Sequence, residues 1–128
     1  MLINLSNHPS AQWTENQTNT AKVNYGEIID YSFPHIEPEA STEQILLLAH
    51  LYSNRVIELF DVNNKSSQTN AVHIMGELSF CFAVIAILQK NNIDCIASTT
   101  VRDAAVSGNQ KTSVFRFVQF RTYPKITS

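Results

Sequence analysis

Short apolar runs alternate with longer stretches of helical spacing along this chain, and each change of period marks an element boundary. Leu2-Ile3-Asn4-Leu5 predicts a first strand, which Pro9 breaks. Ser10 is placed to cap a helix over residues 11–23, where Trp13, Gln17 and Ala21 share a helical face. Gly26 punctuates, and Glu27–Phe33 predicts a second strand closed by Pro34 and Pro38. Ser41-Thr42-Glu43-Gln44 is a capping-box pattern. Ile45, Leu48, Tyr52, Val56, Leu59 and Phe60 then carry a helix over 41–61. Asn63 to Asn70 is polar and aperiodic, hence an exposed loop. Ala71–Met75 predicts a third strand, Glu77–Gln89 a helix, and Ile93–Thr99 a fourth strand. Val101–Lys111 reads as a loop with a Gly108-Asn109 turn, and Thr112–Tyr123 as a long fifth strand. Too few residues separate the last two strands for a helical crossover, so they should pair antiparallel. The resulting fold class is α/β: one Rossmann-like three-layer sandwich over residues 1–128, mostly parallel, with a C-terminal antiparallel hairpin strand.

The helix over 77–89 departs from the usual pattern. Leu78, Phe80, Cys81, Phe82, Ala83, Val84, Ile85, Ala86, Ile87 and Leu88 leave it without a polar face. Two readings carry equal weight: burial beneath a neighbouring helix, or an interface, most simply with a second copy of the chain.

The 128 residues are 44% hydrophobic, enough for a real core, and the net charge of −2 disfavours a long nucleic acid as partner. A small anion needs only local positive charge and backbone N–H groups. The two cysteines, Cys81 and Cys95, fall in apolar elements and read as core residues of a reducing compartment. The N-terminus has no basic leader pattern, and the longest apolar run, Phe80–Leu88, is far short of the roughly 20 residues of a membrane span. A soluble, cytoplasmic protein is expected.

Only three glycines are present, which excludes the glycine-rich dinucleotide and Walker loops. Chemistry concentrates instead where strands end, the edge at which parallel α/β sheets bind ligands. After the first strand come Ser6, Asn7, His8, Pro9 and Ser10. Asn7 suits a base edge or a phosphate, and His8 suits proton transfer near neutral pH; an ordinary turn accounts for the same residues. After the third strand, Gly76, Glu77 and Ser79 sit at a helix start able to hold phosphate; alternatively Gly76 makes the turn and Glu77 meets the helix dipole. After the fourth, Ser98, Thr99 and Thr100 offer hydroxyls and Arg102 a guanidinium fork, or simply a β-run with a solvated Arg. Lys111 and Arg116 either reach the same edge or are surface charges. His8, His35, His50 and His73 lack zinc-site spacing, so neither metal nor cofactor is expected; His73, inside an apolar strand, reads as a satisfied core histidine. Ser6, Ser79 or Ser98 as covalent nucleophile has little support.

The Leu5-Ser6-Asn7-His8-Pro9 start, the short Rossmann-like layout and the strand-four hydroxyls resemble the small CRISPR-associated CARF-like proteins, which include ring nucleases and cyclic-oligoadenylate binders. Those proteins often open with a strand running into Ser-His-Pro; here Asn7 stands between Ser6 and His8. The resemblance implies a homodimer that binds a cyclic oligonucleotide across its twofold axis at the C-terminal sheet edge. It also implies metal-independent cleavage by 2′-OH attack, if the protein is an enzyme at all. His8 is then the candidate catalytic residue. The rival expectation is a non-enzymatic interaction module that docks a partner through the apolar third helix.

Overall fold

A computed structural model describes residues 1–63 and 69–126, without the side chains of 104–107 and 110–113. The chain runs β1 (Leu2–Ser6), α1 (Glu15–Tyr25), β2 (Ile28–Asp30), α2 (Thr42–Val62), β3 (Ala71–Met75), α3 (Leu78–Lys90), β4 (Asp94–Ser107) and β5 (Gln110–Thr122). They form one five-stranded sheet in the order β2-β1-β3-β4-β5. All pairs are parallel except β4–β5. The expected α/β architecture, mostly parallel with a C-terminal antiparallel hairpin, is therefore present.

Strand alternation sorts the core into two layers. Ile3, Leu5, Val72, Ile74 and Cys95 pack with Ala49, Val56, Phe80, Val84 and Leu88 of α2 and α3. Leu2, Ala71 and Ile96 pack on the other face with Ala21 of α1, Trp13 and Phe120. Two helices cover one face and a single short helix covers the other.

Local chemistry explains several boundaries. Ser41 and Gln44 exchange both capping-box bonds, at 3.1 and 2.8 Å, which fixes the start of α2. The first helix begins later than its sequence pattern suggests. Thr14 is its cap, and residues 10–12 form a separate 3-10 turn. Ser10 instead clasps Asp30, its backbone N–H donating at 3.1 Å and its hydroxyl at 2.8 Å. The second strand is only three residues long, because it is an edge strand paired to β1 alone. Glu77 lies outside α3 as its cap.

The segment 101–111 differs most from its reading as a loop. β4 and β5 continue as a two-stranded ribbon to the Gly108-Asn109 turn, where Gly108 takes a φ of +61°. β3 pairs with β4 only as far as Ile96, so this ribbon extends past the sheet. The run Val101-Arg102-Asp103-Ala104-Ala105-Val106-Ser107 carries no period-2 alternation of apolar and polar residues, so the strand is not announced by its sequence. Five residues of the polar loop expected over 63–70, residues 64–68, lie outside the described residues.

Candidate functional site

Because α1 is short and lies alone on its face, part of that face is left without a helix above it. A cleft of about 480 Å³ occupies the space, between the β1–α1 connection and the β4–β5 ribbon. His8, Gln12, Trp13, Thr14 and Gln17 form one wall; His73, Met75, Ser98, Thr100, Phe115 and Phe117 supply the rest. It lies at the C-terminal end of the parallel strands, as such folds favour.

A register irregularity gives the cleft its aromatic side. Thr99 pairs with Gln119 but Thr100 pairs with Phe117, so Val118 is the extra residue of a β-bulge. Strict alternation would separate Phe120 from Phe115 and Phe117. The bulge instead brings Phe117 and Phe120 together, ring centroids 4.9 Å apart. Phe120 and His73 both meet Trp13, at 6.0 and 5.2 Å.

Beneath the aromatics lies a polar relay centred on Asn4, which is buried. Its Nδ2 donates to the Asp30 carboxylate and to the His8 carbonyl, each at 2.9 Å. Its Oδ1 lies 2.7 Å from the Ser6 hydroxyl and 2.8 Å from His73 Nδ1. The amide orientation follows from chemistry: a flipped Asn4 would set its oxygen against a carboxylate and a carbonyl, neither of which donates. Oδ1 thus accepts, Nδ1 of His73 carries the proton, and Nε2 keeps a lone pair. That Nε2 is buried without a hydrogen-bond partner. Burial foremost, and the nearby His8, push the His73 pKa down to about 4, so the ring is neutral at physiological pH. Burial acts to raise the Asp30 pKa, but the bonds from Asn4 and Ser10 outweigh it and hold this carboxyl below its ordinary value.

The residues nominated from sequence fall into three groups. His8, Ser98 and Thr100 meet in the cleft. Arg102 borders it, its guanidinium 5.9 Å above the Phe115 ring. Ser6 supports the site from below by bonding Asn4, and Asn7 is exposed at the end of β1. Thr99 faces away, its hydroxyl donating to Gln119 O at 3.2 Å.

Gly76, Glu77 and Ser79 form a separate cluster. The Glu77 carboxylate accepts from Ser79 N at 3.0 Å, from Phe80 N at 2.8 Å and from the Ser79 hydroxyl, filling the start of α3 with its own anion. These bonds, the Ser79 side chain first, hold its pKa below the usual carboxylate value. Gly76 lies close against the Phe33 ring: a Cβ there would overlap that ring, which lies against Phe80, unless the ring moved. Gly76→Ala is expected to cost about 1–3 kcal/mol, the usual range for overpacking. A thermal melt checks this, and an unchanged midpoint would show that Phe33 yields freely. Arg116 pairs with Asp103 at 3.3 Å, while the Lys111 side chain lies outside the described residues.

Sequence reasoning missed Asn4, Asp30, Trp13 and His73. The available signal was polarity in the wrong place: Asn4 and His73 interrupt apolar strands and lie opposite each other in the β1–β3 register. Among the described residues no cluster of His, Cys, Asp or Glu is arranged to hold a metal ion. No described helix is long and apolar enough to cross a membrane.

The fold and cleft define an α/β protein with a ligand-sized site at its sheet edge. Residues 1–121 match the family described as Uncharacterized protein MJ1673 family, and the chain belongs to that family. Neither a curated protein nor a solved structure matches it.

Proposed function

We propose that the protein binds a nucleotide second messenger of the cyclic oligoadenylate class, one nucleotide unit per cleft, and cleaves it without a metal ion. The composition of the cleft carries this reading. Trp13 and Phe115 offer surface for a base, backed by the buried Phe117, and stacking on aromatic rings contributes about 1–3 kcal/mol per base. Gln12, Gln17, Ser98 and Thr100 supply donors and acceptors, and Arg102 stands beside Phe115 to meet a phosphate. The volume falls within the range of small-molecule sites, about 300–1,000 Å³. The resemblance of residues 5–9 to CARF-like proteins supports the ligand class.

A thermal-shift series with cyclic tri-, tetra- and hexa-adenylate tests the binding. A ligand bound only by the folded state raises the midpoint; no shift at saturating concentration with any ring would overturn the reading. Arg102→Ala is expected to weaken the active ligand about tenfold or more, since a charge-assisted contact contributes about 1.5–3 kcal/mol. Unchanged affinity in a calorimetric titration would remove Arg102 from the site.

The protein is further proposed to form a homodimer through α2 and α3. Leu78 and Phe82 are 83% and 75% exposed there, beside the exposed Leu46 of α2. This face lies across the sheet from the cleft. In such a pair each protomer holds its own ligand unit, rather than sharing one across the twofold axis as the sequence reading expects. Phe82→Glu would bury a charge at the contact and should give monomers in sedimentation. Sedimentation identical to wild type would place the interface elsewhere. The same exposed face favours the second reading, a module that docks another protein. A monomer whose cleft ignores every nucleotide would select it.

A further inference from the structure

A groove of about 690 Å³ lies across the sheet from the cleft, between α3 and the segment that follows β5. Its floor is one stripe of α3, where Leu78, Cys81, Phe82 and Ile85 recur at helical spacing over two turns. The stripe turns polar at Gln89 and, just past the helix, at Asn92. Lys90 and Lys125 rim that end. The facing wall is the segment 123–126, and it is fastened at several points. Tyr123 donates through its N–H to Cys95 O at 2.8 Å and through its hydroxyl to Ile74 O at 2.7 Å. Gln89 Nε2 donates to Tyr123 O at 3.2 Å and to Pro124 O at 3.3 Å, and Lys125 pairs with Asp94 at 3.6 Å. Yet Pro124, Lys125 and Ile126 stay exposed, Ile126 at 91%. A segment held this firmly without burying its own apolar side chains serves as a wall, not as core. The carbonyls at the polar end of α3 are already taken: Leu88 O accepts from Asn91 N and Ile93 N, and Ile87 O from Asn91 Nδ2. Asp94 offsets part of the Lys125 charge, whereas Lys90 has no ion-pair partner among the described residues. What this end offers a ligand is therefore cationic.

We propose that this groove binds a free fatty carboxylate, with its acyl chain along Leu78, Phe82 and Ile85 and its carboxylate between Lys90 and Lys125. The polarity of the groove carries the proposal: it is apolar for two turns and cationic at one end, which complements a single-chain anionic amphiphile. Its volume falls within the range of small-molecule sites, about 300–1,000 Å³. The floor from Leu78 to Gln89 runs about 16 Å at the α-helical rise, room for one extended chain. An acyl chain asks for apolar surface and no hydrogen bonds, which is what the floor gives. An extended peptide would bring backbone N–H and C=O groups against a floor that offers them no partner before Gln89. The site is independent of the nucleotide reading, since the cleft occupies the other face of the sheet.

The test titrates the full chain with decanoate, below its micelle concentration, in a calorimeter, with decanol as the uncharged control. One saturable site per chain is expected, with affinity rising about two- to fourfold per methylene from octanoate to dodecanoate. Decanol should bind about tenfold more weakly. Trp13 emission should stay constant, because Trp13 lies on the opposite face of the sheet. The variant carrying both Lys90→Glu and Lys125→Glu, two exposed positions, should keep its fold, bind decanoate about tenfold more weakly and bind decanol as before. Equal affinity for alcohol and carboxylate overturns the proposal, as does a double variant that binds decanoate like the wild type. Heat that never saturates means an adventitious additive only, and a changing Trp13 emission puts the chain in the cleft; either result also overturns it. So does an absence of binding. Shown by a species that sediments as a dimer, it hands the groove to a second copy; shown by a monomer, it hands the groove to a protein partner.

Discussion

Replacing Asn4 with Leu is expected to lower stability by about 2–4 kcal/mol, although leucine fits an otherwise apolar strand. Asn4 Oδ1 accepts from the buried Nδ1–H of His73 at 2.8 Å and from the Ser6 hydroxyl at 2.7 Å. Leucine accepts no hydrogen bond, and each buried group left unpaired costs about 1–3 kcal/mol. The Asp30 side chain is partly open to water and retains Ser10, so it adds less. Urea unfolding measures the loss as a lower midpoint at constant slope. A change below about 1 kcal/mol would show that the relay contributes little to holding the sheet together.

Acidification from pH 7 to pH 4 is expected to remove about 3 kcal/mol of stability through His73 alone. Burial depresses its folded pKa from 6.5 to about 4. A group with a depressed folded pKa contributes stability that is fully present above the unfolded pKa. That contribution is lost as pH falls through the window between the two values, because the unfolded chain binds a proton that the folded ring refuses. Asp30 acts in the same direction in a different window. Its folded pKa lies below 3.8, so its contribution is lost only at lower pH. The difference in urea midpoint between wild type and His73→Gln, followed from pH 7 to pH 4, isolates the histidine. Parallel profiles would mean that His73 protonates in the folded state as readily as in the unfolded one.

Much of the architecture was legible because its signals are local. Ala71–Met75 reads as a strand despite His73 at its centre, and the Ser41–Gln44 box marks where α2 begins. The ribbon over 101–111 was illegible because its sequence has no alternation of apolar and polar residues. The candidate site was half legible. His8 follows the end of β1 as expected, but Ser98, Thr100 and Arg102 lie within β4, which runs on to Ser107 instead of ending before them; they reach the same edge because β4 leaves β3 after Ile96. Asn4, Asp30 and His73 are spread over three strands, and only the β2-β1-β3 register brings them into line. Phe117 and Phe120 share a side because of a bulge, which no periodicity announces. Gly76, Glu77 and Ser79 offered equal sequence chemistry, but the structure gives their groups to one another and to Phe33.

The central claim is that the cleft between the β1–α1 connection and the β4–β5 ribbon receives a nucleotide. The chain contains a single tryptophan, and Trp13 lines that cleft in contact with His73. Its emission therefore reports the site without a label. Titration with cyclic oligoadenylates of increasing ring size is the direct measurement. The expected result is a saturable change in Trp13 emission for one ring size, reduced in affinity by Arg102→Ala. Emission that stays constant for every ring size, at millimolar concentration and with the protein folded, would contradict the claim.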